Sequence, residues 1–357
     1  MGKREQEIGT ISVRSILIFA ILFFTATGFS GTAAAQTPPR TKVVLTMGGD
    51  GLHFSTQHIA QLGGFFAEEG LDAETLDVGS GPRQVAALMG GSSAFSSLGL
   101  IHVIKANAEG ANLVAISTVF DILDMQLILS NEAIQKAGIV DGMPMDKKVE
   151  RLSGLRIAIT SPGSTTDTYL RSIVRHRGFD PDKLLRIQPM GGGSNMLAAF
   201  EKGATDGFIW GAPQAHMALV KNIGKSVINP FAGDLPEASG VPYLVMVTSR
   251  QTLEQKPEVI EAGVRALARA MKFARENPEA ARAIMRKHFP DIDEVIFNRA
   301  WEEYRKGIPQ SPVLTRTQYD KTQAWLNITA ASPFKISYDT VVAAGPAERA
   351  AAKILGK

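Results

Sequence analysis

The sequence predicts an α/β protein of two lobes, each a mostly parallel sheet flanked by helices. Apolar, strand-like runs alternate with segments of helical periodicity, which is typical of parallel sheets covered by helices. The alternation is interrupted after about residue 125 and resumes near residue 156, which favours two sets of strands over one continuous sheet. The 357 residues are enough for one large or two medium domains.

The first set begins with a strand at 43–47, a helix at 55–69, a strand at 73–77 and a helix at 82–89, and continues through segments at 94–98, 101–108 and 113–119. Further apolar, strand-like runs follow at 125–130, 156–160, 184–188, 207–210, 226–229 and 243–248. From about 257 to 328 the sequence predicts almost only helix. Two α/β sets and a helical tail therefore follow one another along the chain.

An internal similarity supports the division into two sets. A shift of 112 residues (193 − 81 = 112) aligns GPRQVAAL, which begins at Gly81, with GSNMLAAF, which begins at Gly193. Glycines of this kind permit the positive φ or the close approach that helix ends and tight turns require. Any α/β protein contains such turn signals, but their common order and spacing favour a repeated unit.

Residues 1–35 are predicted to be a secretory signal peptide. Basic residues precede a short apolar run at 16–24, and small residues precede an expected cleavage site after Ala35. The apolar run is about nine residues long, against the ~20 that span a bilayer. We therefore expect an exported protein rather than one held by a transmembrane anchor.

Composition excludes several classes of chemistry. The chain has no Cys, so disulfides, thiolate metal sites and a cysteine nucleophile are absent. A net charge of +3 without a long basic run gives no indication of nucleic-acid binding. The sequence contains no P-loop, no H-E-x-x-H and no G-x-S-x-G motif. We expect no catalytic residues, no cofactor and no metal.

Four loops that follow predicted strands are the candidate ligand site, because ligands of open α/β sheets bind beyond the carboxyl ends of the strands. They are residues 48–55, 79–81, 161–167 and 191–194. Helix N-termini expose unpaired N–H groups, and neighbouring hydroxyls would complete a cradle for a carboxylate, sulfonate or phosphate. The alternative is that Ser164 or Thr165 only caps a helix.

Single aromatic and imidazole side chains leave alternatives open. His53 lies in a loop after a strand and is a candidate for ligand contact, whereas His58 and His102 are expected on helix surfaces or in satisfied core positions. Trp210 ends a predicted strand, and either offers a face for stacking at the cleft or fills the core below it. Phe54 leaves the same two interpretations.

Several segments occur together in the order known from one family. They are GGFFAEEGLD, the Gly-Ser-Gly loop with the following AALMGG, LSGLRIAITSPGS, and the WGAP that begins at Trp210. On these segments the chain resembles the periplasmic substrate-binding proteins of ABC importers in the nitrate/sulfonate/taurine family, which also includes thiamine-pyrimidine binders. The resemblance covers nearly all of residues 41–290.

The resemblance implies a type II periplasmic-binding-protein fold with two hinge crossings. Lobe 1 would comprise 41–128 plus 246–357, and lobe 2 would comprise 129–245. It also implies a periplasmic receptor, expected to be a monomer, that passes a small solute to permease subunits in the inner membrane. The alternative is an enzyme on the same scaffold, since enzymes of the desulfinase or pyrimidine-synthesis kind resemble this family too, but the absence of Cys disfavours it. A secreted sensor is a third possibility.

Carried over by position, the resemblance places ligand contacts in both lobes. The expected residues are Asp50, His53, Phe54, Gly79, Ser80, Gly81, Ser97, Leu98, Gly99, Ser161, Gly163, Ser164, Thr165, Thr166, Gly193, Ser194, Trp210, Gly211, Ala212 and Pro213. Many members of the family carry an acidic residue soon after the second-lobe Trp, where this chain has Gly-Ala-Pro. This difference disfavours an amine-bearing ligand and leaves an anionic or aromatic one: a sulfonate, a carboxylate or a pyrimidine-like ring. Arg83 and Lys105 lie near the expected cleft, but neither is identified as an anion clamp.

Overall fold

The computed structural model describes residues 39–356. The predicted signal peptide lies outside the described residues. Within 39–356, no helix is both long enough and apolar enough to cross a membrane.

Within residues 39–356, ten strands form two five-stranded sheets. The strands are β1 (Thr41–Met47), β2 (Leu71–Asp77), β3 (Phe95–Gly99), β4 (Leu113–Phe120), β5 (Gln126–Ser130), β6 (Arg156–Ile159), β7 (Arg186–Pro189), β8 (Gly207–Trp210), β9 (Gly224–Ile228) and β10 (Leu244–Ser249). The first sheet has the order β2-β1-β3-β10-β4, and the second sheet has the order β7-β6-β8-β5-β9. In each sheet the fourth strand is antiparallel to its neighbours and the other four are parallel. The prediction of two mostly parallel sheets is confirmed.

Seventeen helices of the described chain cover these sheets. Those of the first 220 residues are α1 (Ser55–Leu62), α2 (Phe65–Glu68), α3 (Gly81–Met89), α4 (Leu100–Ala108), α5 (Asn131–Ala137), α6 (Met145–Glu150), α7 (Thr165–His176), α8 (Pro181–Leu184), α9 (Gly193–Glu201) and α10 (Gln214–Val220). The others are α11 (Arg250–Gln255), α12 (Pro257–Glu276), α13 (Pro278–His288), α14 (Glu294–Tyr304), α15 (Arg316–Asn327), α16 (Tyr338–Val341) and α17 (Gly345–Ala350). The helical tail expected from 257 to 328 is thus present as α12 to α15.

One predicted helix is divided in two. The sequence predicts a single helix over 55–69, but α1 ends at Leu62 and α2 begins at Phe65. Gly64 between them has a φ of +83°, a left-handed conformation that glycine adopts without the steric cost of a Cβ atom. The Gly63–Gly64 pair therefore ends the first helix and turns the chain into the second.

The chain crosses between the sheets twice. It leaves the first sheet after β4 and enters the second at β5, and it returns from β9 to β10. The crossings span residues 121–125 and 229–243. The lobe limits expected from the sequence, 128/129 and 245/246, fall inside β5 and β10. Each antiparallel strand is therefore the first strand that the chain forms after a crossing.

The aligned segments of the internal similarity occupy equivalent places. α3 and α9 span 81–89 and 193–201, so both their first and their last residues are 112 apart (201 − 89 = 112). α3 connects β2 to β3 in the first sheet, and α9 connects β7 to β8 in the second. Both helices therefore begin at the carboxyl end of a parallel strand, the edge where ligands bind in such sheets.

The C-terminal segment protects an edge of the first sheet. β4 is the last strand of that sheet, yet all its residues are buried. α17 and α16 pack against it, and Ala343 N donates a hydrogen bond to Ala115 O at 2.9 Å. An unpaired strand edge is a template for aggregation, and this cover explains how an edge strand such as β4 can be buried along its whole length.

Candidate functional site

An open cleft lies where the two sheets face each other. Its volume is about 650 Å³, and its walls are the loops that follow β1, β2, β6 and β7. The lining residues are Asp50, Asp77, Val78, Gly79, Ser80 and Arg83 from the first sheet, and Thr160, Ser161, Pro189, Gly191, Gly192, Gly193, Ser194 and Asn195 from the second. All four walls are at carboxyl ends of strands, where the sequence predicts the site.

A smaller cavity lies deeper between the sheets. Its volume is about 20 Å³, which is room for about one water molecule. It is lined by Gly48, Phe54, Ser80, Gly81, Gln84, Gly99, His102, Thr160, Ser164, Thr165, Thr166, Trp210, Tyr243 and Leu244. Ser80 and Thr160 line both cavities, so the small cavity is the inner end of the open cleft.

Hydrogen bonds cross directly between the two sheets around the inner cavity. Nε2 of His102 lies 3.1 Å from Oγ1 of Thr165, and Lys105 Nζ donates to Oγ1 of Thr168 at 2.9 Å. These contacts join α4 of the first sheet to α7 of the second. A ligand larger than water enters the inner cavity only if the two halves separate here.

The helices α3, α7 and α9 begin at this cleft, and their first turns differ. Ser164 caps α7, because its hydroxyl accepts a hydrogen bond from Asp167 N. Within the described chain, neither Ser80 before α3 nor Gly192 before α9 supplies a side-chain cap. The interpretation of Ser164 as a helix cap is thus confirmed. The amides that begin α3 and α9 have no such side-chain partner, and unpaired amides at a helix start are potential donors to an anion.

His102 is the imidazole of the inner cavity. Burial, together with the nearby charge of Lys105, lowers the pKa of His102 to about 3, so the ring is neutral at neutral pH. A Cβ atom on Gly81 would lie only 2.2 Å from Nε2 of this ring. Glycine at the first position of α3 is therefore what allows the imidazole to lie against the helix start.

Trp210 fills the core and also borders the inner cavity, and its stacking against a ligand stays a prediction. Its side chain is buried, yet it lines the inner cavity. Nε1 donates to Oε1 of Gln214 at 3.0 Å. A Cβ atom on Gly49 or Gly193 would lie 2.8 Å or 2.3 Å from the indole. The ring therefore fills the space between the first loop of one sheet and the helix start of the other.

A buried polar cluster lies behind the cavity at the first crossing. His53 and Asp124 are fully buried, and Nδ1 of His53 lies 3.2 Å from Oδ2 of Asp124. The Tyr304 hydroxyl accepts a hydrogen bond from Ala212 N at 2.7 Å, and burial raises the pKa of Tyr304 well above its usual value, so it stays neutral. The cluster ties the crossing to the first loop and to the segment after β8.

Among the described residues that line the two cavities, the carboxylates and the guanidinium group lie at the outer rim. Burial raises the pKa of Asp77, whose carboxylate accepts a hydrogen bond from Gly79 N at 2.7 Å. Burial acts in the same direction on Asp50, but the neighbouring His288 and His58 side chains bring the pKa of Asp50 well below its usual range. Arg83 supplies the basic group of the rim. The rim thus carries both signs of charge.

Thirteen of the twenty expected ligand contacts line one of the two cavities, namely Asp50, Phe54, Gly79, Ser80, Gly81, Gly99, Ser161, Ser164, Thr165, Thr166, Gly193, Ser194 and Trp210. The other seven line neither cavity, namely His53, Ser97, Leu98, Gly163, Gly211, Ala212 and Pro213. Several of these seven support the site: Ser97 O accepts a hydrogen bond from Gln84, and Ala212 O accepts one from Leu52 N. Contact with a ligand remains a prediction for all twenty.

Sequence reasoning missed His102 and Gln84 as wall residues. Both lie within the first turn of a helix that follows β2 or β3, which is a signal that the sequence does contain. Tyr243 lines the cavity from the second crossing. No local pattern around Tyr243 indicates this, because its position depends on the return of the chain to the first sheet.

Comparison with known proteins identifies relatives over almost the whole described chain. A family model described as the NMT1-like family matches residues 38–287. The putative binding protein YtlA of Bacillus subtilis is 21% identical over 319 residues, which are 88% of this chain and 91% of YtlA.

Solved structures share the fold at low sequence identity. A protein of Bordetella bronchiseptica RB50 has a TM-score of 0.78 and 19% identity over 88% of this chain and 98% of its own. The alkanesulfonate-binding protein SsuA of Xanthomonas axonopodis, bound to MOPS, has a TM-score of 0.66 and 14% identity over 86% of this chain and 100% of its own. DszB in complex with biphenyl-2-sulfinic acid has a TM-score of 0.57 and 13% identity over 88% of this chain and 99% of its own. The prediction of a two-lobe periplasmic-binding-protein fold is confirmed.

Proposed function

This chain belongs to the NMT1-like family, and on that premise we propose that it is a periplasmic solute-binding receptor of an ABC importer. In this proposal a small oxyanion, with a sulfonate as the leading class, binds between the two sheets. The observation that carries the proposal is the opposition of two uncapped helix starts, α3 at Ser80–Gly81 and α9 at Gly192–Gly193, across one cleft.

The donors around the cleft suit an oxyanion. The free amides of a helix start carry about half a positive charge, and the hydroxyls of Ser80, Ser194 and Thr160 add neutral donors. Neutral His102 adds a donor or acceptor without a charge. SsuA, which has this fold, was solved with the sulfonate MOPS, and that supports a sulfonate over a pyrimidine.

The rim carboxylates restrict the rest of the ligand. Asp50 and Asp77 would repel a second negative charge, because like charges a few ångströms apart disfavour each other. The ligand that fits best therefore has one anionic head directed inward and a neutral or cationic remainder near the rim. Arg83 is the basic side chain that the cleft offers to the head during entry.

Binding would work by closure of the two halves. Contacts to both sheets form only when the halves meet, so a ligand that bridges them shifts the population toward the closed form. Release would occur at permease subunits in the inner membrane, for which the closed halves present a recognition surface. We propose that the protein performs no chemistry on the ligand; the chain has no Cys for a covalent mechanism.

The ligand class is tested by isothermal titration calorimetry and thermal shift with alkanesulfonates, carboxylates and pyrimidines, each beside an uncharged analogue. We expect a micromolar or tighter Kd for a sulfonate, a higher melting temperature by mass action and no effect of the uncharged analogue. Mass spectrometry of the recovered ligand should show no product. If none of the anions binds, the proposed ligand class is wrong. If the recovered ligand has been converted to a product, the protein is better explained as an enzyme.

A pair of arginine variants sharpens this experiment. Arg83→Gln removes the basic side chain of the rim and should weaken sulfonate binding several-fold. Arg186→Gln removes an exposed arginine of β7 that lines neither cavity, and should leave the Kd unchanged. Equal losses in both variants would mean that only the overall charge matters. The transport role needs a separate test: deletion of the gene should abolish uptake of the ligand so identified.

A further inference from the structure

We propose that Asp50, His58 and His288 form a binding site for a Zn²⁺ ion. The inference goes beyond the receptor function and does not depend on it. One ligand atom from each of the three side chains lies within 4.8 Å of the other two. The structure thus brings to one point two imidazoles and a carboxylate, which are common zinc ligands.

The distances agree with a tetrahedral zinc site. Oδ1 of Asp50 lies 3.2 Å from Nε2 of His288 and 3.3 Å from Nε2 of His58. Two ligand atoms that each lie 2.0–2.1 Å from one zinc ion at a tetrahedral angle are about 3.3 Å apart. Both distances from Asp50 therefore match that spacing, and the two imidazole nitrogens lie within 4.8 Å of each other.

His58 supplies an independent indication. Its side chain is 4% exposed, and its Nε2 has no hydrogen-bond partner in the described structure. The Asp50 oxygen is near enough, at 3.3 Å, but does not meet hydrogen-bond geometry. A buried polar atom without a partner costs free energy, and a metal ion at the common point would give this nitrogen its ligand.

The surroundings favour Zn²⁺ over the hard cations. Mg²⁺ and Ca²⁺ prefer oxygen ligands, whereas imidazole nitrogen suits zinc and its transition-metal neighbours. Phe54 and Phe289 pack around His58, with ring centroids 6.4 Å away in each case. These apolar neighbours limit the access of water to His58.

The site joins three elements that are far apart in the chain. Asp50 lies in the loop after β1, His58 lies in α1, and His288 is the last residue of α13. The side chain of Asp50 is 45% exposed, which gives an ion an entry path and leaves a fourth position for water. A bound ion would therefore link α13 of the C-terminal segment to the loop at the rim of the cleft.

The test is titration of ZnCl₂ into the full chain, purified without a polyhistidine tag and stripped with EDTA, with calorimetry and thermal shift as readouts. We expect one Zn²⁺ per chain, a higher melting temperature that EDTA reverses, and no such shift with Mg²⁺. Asp50→Asn and His288→Gln should each weaken Zn²⁺ binding more than about tenfold. His176→Gln, which removes an exposed histidine on α7, is the matched control and should bind as the wild type does.

The variants keep the result interpretable. Asp50 and His288 are partly exposed, so their replacements are expected to fold, and circular dichroism of the metal-free proteins checks this; His58→Gln is then a third measurement. Absence of stoichiometric binding by the wild type would overturn the proposal. Wild-type affinity in folded Asp50→Asn and His288→Gln would overturn it too. Neither result would touch the sulfonate titration, so this inference and the receptor function fail separately.

Discussion

The two sheets have the same strand order, but their loops bring different chemistry to the cleft. Of the residues that line the two cavities, every acidic or basic side chain comes from the first sheet and its loops, namely Asp50, Asp77, Arg83 and His102. The second sheet contributes hydroxyls, an amide, an indole and glycines. We infer that the side chains of the first half select the charge of the ligand, and that the second half contributes neutral hydrogen-bond donors when the cleft closes on the ligand.

Residues at equivalent positions of the two sheets differ, so the repeated strand and helix unit forms two chemically different walls of the cleft. At a shift of 112 residues, Leu98 of β3 corresponds to Trp210 of β8, and His102 corresponds to Gln214. In each half an aromatic ring lies against the glycine that begins a helix. In the first half His102 of α4 lies against Gly81, and in the second half Trp210 of β8 lies against Gly193. Gln214 holds Trp210 within one half, whereas His102 contacts Thr165 across the cleft.

The largest effect is expected where the two halves are tied together. Asp124→Ala removes the buried partner of His53 at the first crossing and should lower the free energy of unfolding by about 3 kcal/mol. Asp141→Ala, which removes a carboxylate that is 97% exposed, is the control. Urea denaturation at pH 7 measures both. If the two variants were equally stable, the buried pair at the crossing would contribute no more to stability than an exposed surface carboxylate.

The next effect tests whether close approach at the helix starts matters in both halves. A Cβ atom on Gly193 or Gly81 would meet Trp210 or His102 at 2.3 Å or 2.2 Å. We expect Gly193→Ala and Gly81→Ala each to cost about 2 kcal/mol, as overpacking does, and to weaken ligand binding. Gly192→Ala is the control: its Cβ atom would lie in open space, so it should change neither the stability nor the ligand affinity. If only one of the two variants lost stability and ligand affinity, the two helix starts would not be equivalent.

A third prediction concerns the pH dependence that is expected from the first half. His102 has a pKa of about 3 in the folded chain and about 6.5 when unfolded, so the unfolded chain binds a proton that the folded chain does not. Its contribution to stability therefore falls by up to about 1.4 kcal/mol per pH unit as pH decreases below 6.5.

His102→Gln should remove this dependence. Asp121 acts in the opposite direction, because burial raises its pKa to about 6, but its contribution cancels in the difference between wild type and variant. Melting curves at pH 7, 6 and 5 supply that difference. A difference that stays constant with pH would contradict the assignment of a neutral, buried imidazole.

The smallest effect separates a capped from an uncapped helix start. Ser164→Ala removes the side-chain cap of α7 and should cost about 1 kcal/mol. Ser80 makes no such cap for α3, so Ser80→Ala should change stability by less than about half of that while it weakens anion binding. Thermal melts and calorimetry with the sulfonate distinguish the two. If Ser80→Ala were the more destabilising change, the contrast between the halves would be wrong.

Much of this architecture was predictable because its signals are local. Alternating apolar runs, glycines at helix ends and the repeat that begins at Gly81 and Gly193 depend on a few neighbouring residues each. The repeat even predicts that α3 and α9 have equal lengths. The division of the 55–69 helix at Gly63–Gly64 was missed, because helical periodicity on both sides of the glycine pair conceals a turn of two residues.

The sequence by itself determined the family, the two α/β sets and the loops that carry the cleft, since periodicity and turn chemistry act over short distances. Only the tertiary structure decided that His53 pairs with Asp124 behind the wall and that His102 crosses the cleft. It alone brought His288 to within 3.2 Å of Asp50, 238 positions away. Such contacts join residues that are far apart in the sequence. They depend on how the crossings and helices pack in three dimensions, which the spacing of residues along the chain does not determine.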